Sequence, residues 1–92
     1  MLYLQTHKAL CAQTRFLPRV GETTYTLIED ILPGGERFYS LSIRCSGDAL
    51  EKYREIQNIT ADKSFALTLF WKICRGGVTP CALAEVLPEL LP

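Results

Sequence analysis

The chain has 92 residues, 48% of them apolar and 22% charged, values that suit one globular domain with its own core and exclude a polar, charge-rich disordered segment. Ten basic side chains balance ten acidic ones, so no net field draws nucleic acid or an anionic membrane to the molecule as a whole. No run approaches the ~20 apolar residues of a membrane span, and MLYLQTHKALCAQTRF lacks the basic leader and apolar run of an export signal, so a cytoplasmic protein with reduced thiols is expected.

Residues 1–21 are the least patterned part of the single domain 1–92. Leu2 and Leu4 alternate with Tyr3, Gln5 and His7 as a strand would, while residues 8–14 (KALCAQT) fit either a strand or a helical turn. Strand is the preferred reading. Pro18 and Gly21 then mark a break. Residues 23–32 (TTYTLIEDIL) alternate, with Tyr25, Leu27 and Ile31 on one side and Thr24, Thr26 and Asp30 on the other. Pro33, Gly34, Gly35 and Glu36 make a hairpin connection, because proline presets its φ and glycine takes positive φ without steric cost.

The strand over residues 37–45 has the cleanest period: Tyr39, Leu41, Ile43 and Cys45 point one way, Ser40, Ser42 and Arg44 the other. One buried face and one wet face are what a sheet covered by helices on a single side requires. A turn at Ser46, Gly47 and Asp48 follows. Residues 50–59 (LEKYREIQNI) fit a charged helix or a third strand, and the preferred reading is strand from about Tyr53.

Thr60 is the expected N-cap of a first helix, with Asp62 in its first turn, running to about Arg75 and stopped by Gly76 and Gly77. Apolar residues cover most of its circumference and leave Ser64, Thr68, Lys72 and Arg75 as a polar strip. Thr79 and Pro80 start a second helix, the hydroxyl capping free N–H groups and proline filling the first position. It places Leu83, Val86, Leu87 and Leu90 on one side and Glu85 and Glu89 on the other, and Pro88 is expected to end or kink it.

Tyr25, the hairpin, Asn58, Ile59, Thr60, Asp62 and Lys63, with Val78, Thr79, Pro80, Leu83, Val86 and Glu89, form a pattern that resembles a family of short bacterial proteins of anaerobic Gram-positive organisms. That family is classed as a domain of unknown function. The resemblance rests on an I-T-x-D-K helix start and a V-T/S-P-x-x-L-x-x-V second helix, leaves the first twenty residues unmatched, and implies a compact α+β domain. Pro88 departs from it, standing where the family more often keeps a helix former.

Reactive constellations are scarce. His7 is the only histidine, and it reads as a surface residue on a strand. Cys74 and Cys81, the closest of the four cysteines, have six residues between them, wider than the about two to four of a zinc-binding pair, so no metal or cofactor is expected and each cysteine reads as a small buried hydrophobe. Glu29 and Asp30 are adjacent on a strand and face opposite ways; Gly34-Gly35 and Gly76-Gly77 are turns, too short to cradle phosphate. Tyr25 and Tyr39 with Arg37 and Arg44 could make a nucleic-acid platform, but Tyr39 falls on the core register.

The fold expected is therefore α+β: a small antiparallel sheet of three to four strands with two C-terminal helices packed on one face. One stripe of the first helix, Ala66, Leu69, Phe70 and Ile73, is core. A second stripe, Leu67, Trp71 and Cys74, needs cover, either from the rest of the chain or from a partner. The leading reading is a non-catalytic interaction module that self-associates as a homodimer through Leu67, Trp71, Cys74, Leu87 and Leu91. The alternative is a nucleic-acid-associated regulator using Lys52, Arg54, Lys63 and Lys72.

Overall fold

The structure, a computed structural model, describes residues 6–18, 20–46 and 52–91. The alternation at Leu2 and Leu4 and the turn at Gly47 and Asp48 lie outside the described residues. Four strands, β1 (Thr6–Leu17), β2 (Gly21–Ile31), β3 (Arg37–Cys45) and β4 (Tyr53–Thr60), precede two helices, α1 (Lys63–Arg75) and α2 (Pro80–Leu90). The strands form one antiparallel meander in the order β1-β2-β3-β4, so residues 6–17 of the first segment are a strand of 12 residues.

Register decides which side chains become core. On β2 and β3, Tyr25 pairs with Ile43 and Leu27 with Leu41, and all four are buried beneath the helices. Their neighbours Thr24, Thr26, Ser42 and Arg44 lie on the uncovered face, as the alternation requires. Both outer strands carry an irregularity. On β1 the register shifts between Ala9 and Cys11, so Leu10 and Cys11 both pack against the core. On β4 it shifts opposite Ser40, where Asn58 takes φ 54°, a left-handed conformation that asparagine tolerates better than most residues.

Helix α1 lies over β2, β3 and β4, and α2 over β3 and β4. Ala66, Leu69, Phe70, Ile73 and Cys74 form the buried side of α1, with Leu83 and Leu87 from α2 in the same core. Each large apolar side chain buried in this way stabilises the fold by about 1.5–3 kcal/mol.

Helix punctuation differs from the expectation at two points. Asp62, rather than Thr60, caps α1: its Oδ1 accepts from Phe65 N–H at 3.2 Å, while Thr60 Oγ1 accepts from Asp62 N–H at 3.0 Å. Thr79 is the N-cap of α2, but its hydroxyl faces Cys81 Sγ at 3.5 Å and caps no backbone N–H. Of the two outcomes left open at Pro88, an end or a kink, α2 does not end there. It passes Pro88 to Leu90, because only one donor is lost and Leu91 N–H still reaches Leu87 O at 3.1 Å.

Candidate functional site

The end of α1 is where strand, helix and turn converge. Gly77 N–H donates to Cys74 O and Val78 N–H to Ile73 O, both at 3.3 Å, closing the helix in a Schellman turn with Gly77 at φ 61°. The positive φ favours glycine there, and a Cβ would also stand 3.3 Å from Leu17 Cδ2, close enough that the leucine would have to give by a few tenths of an ångström. Arg15, reaching across from β1, donates through Nη1 to Cys74 O at 2.7 Å and Arg75 O at 2.9 Å. A cation thus sits on the terminal carbonyls at the negative end of the helix dipole. Tyr25 completes the junction by donating its hydroxyl to Val78 O at 2.9 Å, and burial pushes its phenol up to about 12.

This clamp leaves a crevice of about 280 Å³ between β1 and α1, lined by Gln13, Arg15, Trp71, Cys74 and Arg75. Trp71 stands 39% exposed at its side, edge-on to the buried Phe70 ring with centroids 5.2 Å apart. Cys74, by contrast, is only 3% exposed. Burial raises its thiol, with Arg15 and Arg75 pulling the other way, and burial likewise raises Cys11.

The five expected interface residues therefore do not form one surface. Cys74 of the second stripe and Leu87 of α2 belong to the core, a correction to both as expected interface residues: the rest of the fold covers the far end of α1, where Tyr25 and Cys11 lie close to Cys74. Leu67 and Leu91 are half-buried against that core, and Trp71 alone is open. Arg15 is the residue that sequence reasoning missed. Its partners are 59 and 60 positions away, and no local pattern announces them.

The basic residues of the alternative reading are dispersed as well. Lys63 and Lys72 are nine positions apart on α1, about 180° around the helix and ~13 Å along it, and Arg54 pairs in register with Ile43 on β4. Tyr25 and Tyr39 are core residues, Tyr39 donating to the buried Glu29 carboxylate at 2.8 Å, so neither offers a stacking surface.

A second concavity, about 350 Å³, opens on the uncovered sheet face around His7, Thr26, Ile28, Asp30, Ser40 and Glu55. The Asp30 carboxylate, 6% exposed, faces His7 Nδ1 through one oxygen and accepts from Ser40 Oγ at 3.4 Å through the other. Here the acid stands between imidazole and hydroxyl. In a nucleophilic triad the imidazole holds that central place. Glu29 and Asp30 fall on opposite faces as expected, and Glu55, held by Gln57 and then Tyr53, stays below the usual carboxylate range.

Among the described residues, no cluster of three or more His, Cys, Asp or Glu side chains is placed to hold a metal ion, and no helix is long and apolar enough to cross a membrane. A protein-family model, described as a family of unknown function, matches residues 6–92 and so takes in β1, which the resemblance read from the sequence left out. No curated protein and no solved structure matches the chain.

Proposed function

The chain belongs to the DUF6514 family of unknown function, and from that premise we propose that it is a non-catalytic protein-interaction module whose binding surface is the crevice around Trp71. A single observation carries this reading: the only tryptophan of the chain lies open beside a recess on a helix whose other large apolar residues are packed. Tryptophan is over-represented among the residues that dominate binding energy, because one side chain supplies a large rigid apolar area and a hydrogen-bond donor. The setting we assign is the bacterial cytoplasm, on the strength of the sequence pattern.

Self-association is one form of the proposal and binding of a second protein the other, with half-buried Leu67 beside Trp71 on α1. Light scattering over a range of concentrations tests it, together with capture of partners from the native cell by the immobilised protein. Trp71→Ala is expected to keep the far-UV circular dichroism and melting temperature of the unmodified chain while losing the association or the captured partner. A chain that stays monomeric at every concentration, and whose captured proteins are the same with and without Trp71, refutes the module.

A further inference from the structure

The crevice has a chemical character that narrows what can occupy it. No acidic residue lines it, and two of its five lining residues are arginines, Arg15 and Arg75. A two-fold contact centred on Trp71 would set these guanidinium groups against their own copies, and like charges brought together across an interface cost affinity. A partner of opposite charge meets no such penalty. Arg15 spends Nη1 on the α1 carbonyls but retains other N–H groups, and the Arg75 side chain is exposed.

The adjoining strand adds a second, independent constraint. Among the described residues β1 is an edge of the sheet. Its N-terminal half is interrupted by the register shift at Leu10, a device that discourages further pairing, but residues 11–17 run in unbroken register with β2 and carry no such irregularity. Gln13 and Arg15 pair with Tyr25 and Thr23, so they lie on the helix side, towards Trp71. A strand added beside residues 11–17 would place every second side chain on that same side.

We infer that the crevice and the free edge of β1 together bind an extended acidic segment of another protein, whose carboxylates meet Arg15 and Arg75 and whose apolar side chain lies on Trp71. The inference rests on the interaction-module reading and names its partner class. Carboxylate paired with guanidinium is a charge-assisted contact, and in a strand acidic and apolar side chains two residues apart share the face that meets the crevice.

The test uses the full chain and a synthetic peptide of about eight residues in which every second position, the set that shares one face of a strand, reads Glu, Val, Glu, Glu with Thr between them, followed by Trp71 emission and by amide hydrogen exchange of residues 11–17. Peptides carrying Gln or Lys in place of Glu are the comparisons. The Glu peptide is expected to shift the emission saturably, to slow exchange along residues 11–17 and to weaken as salt is raised, with Arg75→Glu weakening it by about tenfold. Equal binding of the Gln or Lys peptide, indifference to Arg75→Glu, an emission change without slowed exchange, or no binding of the Glu peptide overturns the inference. If any of these occurs while Trp71→Ala still abolishes self-association or capture, the acidic strand falls and the module stands.

Discussion

Arg15 does more for the fold than its exposed position on a strand suggests. Two charge-assisted hydrogen bonds join β1 to the α1 terminus, and the same guanidinium forms a wall of the Trp71 crevice. Arg15→Ala is expected to destabilise the chain by about 1–3 kcal/mol in urea unfolding, with Arg15→Lys restoring only part, because an ammonium is more strongly hydrated and less pre-organised than the guanidinium whose Nη1 donates to both carbonyls. No loss of stability would mean that the bonds merely replace equivalent ones to water. Trp71 was legible as the odd residue of its helix. Cys74 was not, since a helical projection places it beside Trp71 and contains nothing about the strand residues that cover it.

At the scale of elements, the legible parts are those in which one period runs uninterrupted. Residues Tyr39, Leu41, Ile43 and Cys45 keep strict alternation and β3 has the bounds and core side read for it, but its polar side is not wet throughout, since Ser40 and Ser42 are buried as well. The two ambiguous strands are the two that carry register shifts, at Leu10 in β1 and around Asn58 in β4. An inserted residue moves the pattern by one, so half a strand contradicts the other half and the sequence resembles neither period. The start of α1 was misplaced for a different reason: Thr60 and Asp62 are both competent caps, and the choice depends on where β4 releases the chain. Accordingly, Asp62→Ala is expected to cost about 1 kcal/mol of stability and Thr60→Ala less, measured by denaturant midpoint. The reverse order would restore Thr60 as the cap.

For the whole molecule, the buried acids set the pH limits. Tyr25, Tyr39, Cys11 and Cys74 all titrate above their ordinary values, burial being the first cause in each, so the folded state favours their neutral forms. Their contribution is complete below the unfolded values, 9.0 for the thiols and 10.0 for the phenols, and is lost as pH rises through the folded ones. The melting temperature should therefore hold steady up to pH 9 and fall towards about 12, the value to which Tyr25 is raised. A thermal profile that remains flat through that window contradicts the burial of these groups. Glu55 acts with the opposite sign, its share being lost as pH falls below 4.5 and through its lowered value.

The meander connects neighbours, so every strand pairing of the sheet forms between segments close in the chain, whereas the clamp of Arg15 on the α1 terminus spans 59 and 60 positions. Loop-closure entropy delays such distant contacts until the nearer ones have shortened the path between them. The clamp is therefore a late event in folding. Its removal should appear chiefly as faster unfolding and leave the refolding rate nearly unchanged, which makes Arg15 a determinant of how long the native state lasts more than of how quickly it is reached.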